Sequence, residues 1–330
     1  MTLPLGNSQL EARLEPRLAL VEERLRDAVA QSDTLADATS KHLVNAGGKR
    51  LRPTLTLLTA QLGDGARPEV IDAGVVVELT HLATLYHDDV MDSAPTRRGA
   101  PAAHQVWGNS VAILTGDLLF ARASRVVAGL GPQAVRIQAE TFERLCLGQL
   151  HETVGPGKGE DPIEQYLQVL ADKTGSLIAT SAQFGAMFAG CDPLTVQQVT
   201  NYGELAGVAF QLADDVIDIR SDAGTTGKTP GTDLREGVAT MPVLLLRERV
   251  AREGNAADRD LLEAIKGDLT SDEALAEVVA ALREHAVLEE TSARAHQWSE
   301  QAIGSISNLP EGDVKSALIS FAEALVARAA

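Results

Sequence analysis

Aspartates at 88, 89 and 92 fall within five positions of the stretch LYHDDVMDSAPTRRG, and FQLADDVIDIR repeats the spacing with Asp214, Asp215 and Asp218. On a helix, residues four apart share a face, so Asp88 projects with Asp92 and Asp214 with Asp218. Carboxylates this close repel one another. Both clusters also end a predicted helix, where the macrodipole disfavours anions. One such cluster is ordinarily a solvated helix end. Two, each set against the dipole, ask for a hard divalent cation. Mg²⁺ takes oxygen ligands, uses one or two carboxylates, and fills its shell with water and phosphate.

The basic residues point to the phosphate. The chain carries only seven lysines and a formal net charge of −17. Yet cations gather beside the acidic clusters. GGKRLRP sets Lys49, Arg50 and Arg52 after a double glycine, and TRRG sets Arg97 and Arg98 just past the first cluster. Lys173 stands in DKTGSL, and Lys228 follows the second cluster. Any one of these alone is ordinary surface decoration. Together they suit anions, Arg through its bidentate fork and Lys as a point charge. The pattern asks for two polyanionic ligands, one bridged by metal to the aspartates and one held by Lys and Arg alone.

The elements that must carry these groups read as helices throughout. Apolar residues recur at three- and four-residue spacing, and no run of alternating β-branched residues stands out, so the fold class is all-α. The periodicity predicts helices over 51–62, 68–92, 110–129, 132–153, 162–189 and 195–221, with further helices to the C-terminus. Pro16 marks a kink or late start in the first helix, and Asp33 or Thr34 caps the next, which stops at Gly47–Gly48. No linker-like segment divides the chain, so residues 1–330 are read as one domain. The acidic balance argues against nucleic acid. No stretch approaches a membrane span, and no signal peptide is read. Two unpatterned cysteines, Cys146 and Cys191, read as reduced core residues of a cytoplasmic protein.

GGKRLRP, ELTHLATLYHDDVMDSAPTRRG, GDLLFARA, DKTGSL, FQLADDVID and GKTPGTDLREGVATMP occur here in order over nearly the whole chain. In this the chain resembles the trans-type isoprenyl diphosphate synthases, which extend an allylic diphosphate with isopentenyl diphosphate. The resemblance implies Mg²⁺, three ions, on Asp88 and Asp92 with Asp89 in support, and on Asp214 with Asp215 and Asp218 as direct or water-mediated partners. It implies that Arg97, Lys173 and Lys228 clamp the allylic diphosphate. Lys49, Arg52, His81 and Arg98 would hold isopentenyl diphosphate, with Arg50 the least clear of its group. Thr174 and Gln211 would turn oxygen dipoles towards the allylic carbon. The resemblance also implies a single-domain helical bundle of the isoprenoid synthase type with a central cavity, and a homodimer.

His81 stands two helical turns before Asp88 on a similar face and is read as functional. His87 is read as structural, and Trp107 and Trp298 as core. Family resemblance also makes the positions four and five before Asp88 determinants of product length. Here they are Thr84 and Ala83, both small, which favours a medium- to long-chain product. Tyr86 departs from the aliphatic residue expected there; its phenol could face a neighbouring helix or a dimer partner. A geranylgeranyl synthase is the nearest alternative, separable by product chromatography. A terpene cyclase is disfavoured by the intact second cluster and by Lys49 and Arg52. A regulatory subunit ordinarily lacks one acidic cluster, and both are complete here.

Overall fold

The computed structural model describes residues 5–221 and 230–327. In chain order the helices are α1 (Ser8–Val29), α2 (Thr34–Asn45), α3 (Leu51–Thr59) and α4 (Pro68–Met91). Two strands, β1 (Thr96–Arg97) and β2 (Ala100–Pro101), precede α5 (Ala103–Trp107), α6 (Asn109–Gly129) and α7 (Pro132–Val154). Then come α8 (Pro162–Leu170), a π-helical turn (Ala171–Gly175), α9 (Ser176–Phe188), α10 (Pro193–Arg220) and α11 (Thr232–Arg235). The chain closes with α12 (Met241–Glu253), α13 (Ala256–Ile265), α14 (Asp272–Arg283), α15 (Ala286–Ser305) and α16 (Asp313–Val326).

The helical expectation holds, with two departures. A minimal antiparallel ladder pairs Thr96 with Pro101 and Arg97 with Ala100. Two residues per strand are too few to show alternation, so no periodicity could have disclosed it. The helix expected over 162–189 is interrupted by the π turn at 171–175, which carries Lys173 and Thr174. Such bulges insert one residue into a helix and re-aim the side chains around it. Pro16 does not delay α1, which starts at Ser8 under an Asn7 cap that accepts from the amides of Gln9 and Leu10. Asp33 caps α2, accepting from the Ala36 amide at 2.9 Å.

The chain forms two compact units. The first comprises Met1–Leu145, Ser176–Glu204 and Ser305–Phe321. Its centre is α4, packed by α1, α3, α6 and α9. Packing on several sides explains why α4 buries apolar residues around most of its circumference rather than along one stripe. The second unit comprises Cys146–Gly175, Leu205–Gly304 and Ala322–Ala330. Its core joins Leu212, Val216, Leu245, Leu246, Leu282 and Val287 with neighbours from α8 and α14.

The cysteines are not core residues. Cys146 is exposed and Cys191 half-buried, and neither forms a disulfide. Trp107 is half-buried and meets the ring of His42 edge-on, centroids 5.1 Å apart. Trp298 is partly buried against the second unit's core.

Candidate active site

In the first unit, α4 delivers the first acidic cluster at its C-terminal end. Asp88 is half-buried and Asp92, the C-cap, is exposed, whereas Asp89 is fully buried. The Asp89 carboxylate accepts from Arg97 Nε at 2.5 Å, and its Oδ2 has no hydrogen-bond partner. The middle aspartate therefore anchors the β1–β2 hairpin to α4. Asp88 and Asp92 keep the solvent exposure that Asp89 lacks.

The basic residues gather above the C-terminus of α2. Arg50 is buried, its backbone left-handed at φ 49°. Its guanidinium donates to Glu78 Oε1 at 2.8 Å, to both carboxylate oxygens of Glu22, and to the carbonyls of Val44 and Gly47. Arg98, also left-handed at φ 54°, donates to the carbonyls of Leu43 and Gly47 and approaches Glu78 Oε1 at 3.8 Å. These carbonyls belong to the open end of α2, where cations are favoured. Glycine is required at 48: its φ is +146°, and a Cβ there would lie 2.7 Å from the Arg98 guanidinium carbon.

Arg52 is different. Its Nε is buried with no hydrogen-bond partner among the described residues. Burial, opposed by Glu78 and reinforced by Arg98, lowers its guanidinium to about 10. Burial and then the charges of Arg52, Arg98, Arg97 and Arg50 hold His81 well below its ordinary value, so the imidazole is neutral. A buried guanidinium nitrogen without a hydrogen-bond partner, beside a neutral imidazole among arginines, has the chemistry that suits an anion. Lys49 lies at the start of the same segment.

Tyr86 faces a neighbouring helix. Its hydroxyl donates to the Thr39 carbonyl at 2.5 Å and accepts from the Leu43 amide at 3.3 Å. Burial pushes the phenol up to about 12. His87 meets α6, with Nε2 3.1 Å from the Ile113 carbonyl and 3.3 Å from Asp117 Oδ1. Ala83 is fully buried and Thr84 half-buried, its hydroxyl donating to the His81 carbonyl at 2.8 Å.

In the second unit, α10 carries the second cluster. Asp214 and Asp218 are half-buried, and Asp215 is buried. Asp215 Oδ2 accepts from the Tyr166 hydroxyl at 2.8 Å and from the Met241 amide at 3.2 Å, while Oδ1 has no hydrogen-bond partner. Burial, with the charges of Asp233 and Asp214, pushes the Asp215 carboxyl well up. Asp218 accepts from the Thr232 amide at 3.2 Å and the Asp233 amide at 3.4 Å, fastening α11. The middle aspartates of the two clusters thus share one arrangement, buried and hydrogen-bonded through one oxygen with the other unpartnered, although Asp89 faces a guanidinium and Asp215 only neutral donors.

The π turn brings two expected residues to one place. Thr174 Oγ1 donates to Gln211 Oε1 at 3.2 Å, and Lys173 Nζ lies 2.5 Å from Glu152 Oε2. Gly148 on α7 lets the turn approach: a Cβ there would sit 2.8 Å from the Lys173 nitrogen. Lys228 lies outside the described residues. Among those described, no three carboxylate, imidazole or thiol groups converge as a metal cage. Pairs of aspartates on successive helical turns do fit Mg²⁺, which leaves most of its shell to water and phosphate. Sequence reasoning missed Glu22, Glu78, Glu152, Tyr166 and Asp233. They carry no local motif and matter only through what they contact.

Residues 33–282 match the family model described as polyprenyl synthetase. The nonaprenyl diphosphate synthase of Mycobacterium tuberculosis is 43% identical over 327 residues, covering 98% of this chain and 96% of that protein. A polyprenyl synthase of Caulobacter crescentus, solved with calcium and isoprenyl diphosphate, superposes with a TM-score of 0.90 at 30% identity, covering 100% of this chain and 99% of that one. The geranylgeranyl pyrophosphate synthase of Corynebacterium glutamicum, also solved with calcium and isoprenyl diphosphate, gives 0.85 at 42% identity, covering 98% of each chain.

Proposed function

The chain belongs to the polyprenyl synthetase family and is a prenyltransferase, and from that premise we propose that it condenses an allylic diphosphate with isopentenyl diphosphate to build a medium- to long-chain all-trans polyprenyl diphosphate. The observation that carries the substrate assignment is the buried, partnerless Nε of Arg52 beside neutral His81 and Arg98.

In this reading Lys49, Arg52, His81 and Arg98 hold the isopentenyl diphosphate. Neutral His81 serves as an N–H donor rather than a charge. Arg97, Lys173 and Lys228 hold the allylic diphosphate. Asp88 and Asp92, and Asp214 with Asp218, ligate divalent metal, taken as three Mg²⁺. Bound metal supplies Lewis-acid stabilisation of the departing diphosphate. Asp89 and Asp215 act mainly as struts. Donation from the Thr174 hydroxyl to Gln211 leaves the threonine lone pairs to face an allylic cation. Such a cation would require surroundings that exclude water, which would otherwise quench it. The final proton goes to the released diphosphate, so no side chain is assigned as general base.

Residues 1–330 are proposed as one catalytic domain, since the family match runs through segments of both units. A homodimer is proposed as well; Ile113 and Leu114 on α6 leave apolar surface exposed. No helix among the described residues is long and apolar enough to cross a membrane. A cytoplasmic setting is proposed from the unpaired cysteines.

The test is incubation with farnesyl and isopentenyl diphosphates and Mg²⁺, with products separated by chain length. Products well beyond geranylgeranyl length are expected. Accumulation at geranylgeranyl length would move the assignment to a short-chain synthase, and no elongation would sink it.

A further inference from the structure

The anion site of the first unit has an internal skeleton of its own. Arg50 stands between two of its presumed ligands in sequence, Lys49 and Arg52, yet its guanidinium is fully engaged. It joins Glu22 on α1, Glu78 on α4, and the Val44 and Gly47 carbonyls at the end of α2. Burial alone would lower this guanidinium, but the bonds and charges of Glu22 and Glu78 outweigh it and hold it raised. Its backbone is left-handed, a strained state for arginine that persists only where surroundings over-determine it. Glu78 is 1% exposed and serves a second cation, since Arg98 Nη2 lies 3.8 Å from the same Oε1 that Arg50 bonds.

We propose that Arg50, Glu78 and Glu22 form a buried clamp that positions the isopentenyl diphosphate ligands, and that Arg50 is not itself a ligand. This rests on the functional reading above. Through Glu78 the clamp fixes Arg98. Through the Gly47 carbonyl, which both arginines share, it fixes the glycine turn before Lys49. Arg52 follows three residues after Lys49, on the first turn of α3. All three are positioning residues, acting through groups that touch substrate.

The clamp makes a prediction opposite in sign to simple electrostatics. Removing a buried acid from an anion site should tighten diphosphate binding if charge alone matters. If Glu78 instead holds Arg98 and Arg50 in place, its loss lets the guanidinium forks stray from bidentate geometry and weakens binding.

The experiment measures steady-state KM for isopentenyl diphosphate and for the primer in the full-length enzyme, with thermal melts alongside. For Glu78→Gln the isopentenyl diphosphate KM should rise roughly tenfold, about the size of a lost charge-assisted contact. The primer KM should stay within about twofold, since its proposed diphosphate ligands are other residues. Arg50→Met should act alike, and the double variant should be no worse than the poorer single, because both break one clamp. Glu22→Gln, at the more exposed end, should give a smaller rise in the same direction and serves if Arg50→Met does not fold. Arg52→Ala separates the two ideas. If it leaves the isopentenyl diphosphate KM unchanged, the site reading fails and the clamp with it. If Arg52→Ala raises KM while Glu78→Gln leaves it unchanged or lower, only the clamp is overturned. Multiplicative effects in the double variant would make Arg50 a ligand and overturn it too.

Discussion

Arg97 Nε lies 2.5 Å from Asp89 Oδ1, and Asp89 has no exposed side-chain surface. This pair ties the hairpin that carries Arg97 and Arg98 to the helix that carries Asp88 and Asp92. Removing one member of a buried ion pair leaves an uncompensated charge. Arg97→Met should therefore destabilise the protein by about 2–3 kcal/mol, below the fully buried range because Arg97 keeps a quarter of its side chain exposed. Denaturant melts should show Asp89→Asn/Arg97→Met to be less damaged than the sum of the singles. Simple additivity would mean the pair contributes no coupling.

Metal dependence tests the two clusters. Asp88→Ala and Asp214→Ala should each lower turnover at least about a hundredfold at saturating Mg²⁺, since a metal ligand supplies several kcal/mol of charge stabilisation. Both variants should fold, with melting temperatures that fall far less than turnover does, because each residue is only half-buried. Near-normal turnover in either would remove that aspartate from the metal set.

Lys173 offers the counterpart to Arg52. Lys173→Ala should raise the primer KM and lower kcat, with the isopentenyl diphosphate KM within about twofold, because its charge serves the other diphosphate. Equal effects on both substrates would collapse the two-site map.

Product length should respond to Thr84 before Ala83. Ala83 is completely buried, so Ala83→Phe overpacks the core around α4 and should cost about 1–3 kcal/mol. Thr84 is only half-buried. Thr84→Phe should yield an active enzyme whose products stop near farnesyl or geranylgeranyl length. An unchanged product ladder would place the growing tail on another face of α4.

Acid stability should depend on His81. The unfolded chain takes up a proton near the ordinary histidine value of 6.5, while native His81 is held well below it by burial and the arginines. Below about pH 6.5 the native state therefore binds fewer protons, and stability falls as pH falls. His81→Asn removes this titration and should flatten the decline between about pH 6.5 and 5 in denaturant melts. An equal decline in both proteins would mean that native His81 takes up its proton as an unfolded histidine does.

Local spacing determined what could be read in one dimension. Helical periodicity gave the class because an amphipathic period repeats over many residues. The paired aspartates were legible because four-residue spacing sets their common face whatever surrounds them. The arginines of GGKRLRP and TRRG pointed to an anion-binding set because they stand beside glycines and an acidic cluster in a chain of net charge −17. Tertiary structure decided the roles within each set. Nothing in Arg50–Leu51–Arg52 distinguishes a fully engaged guanidinium from one with a buried nitrogen lacking a hydrogen-bond partner; contact with Glu22 and Glu78, each 28 residues from Arg50, does. Nothing in Asp88–Asp89 or Asp214–Asp215 says which carboxylate turns inward; Arg97 and Tyr166 do. The π turn at Lys173 and Thr174 shares its apolar pattern with an unbroken helix, so only the observed backbone separates them. Side-chain burial depends on what packs against a residue from elsewhere in the chain, and one-dimensional spacing does not carry that.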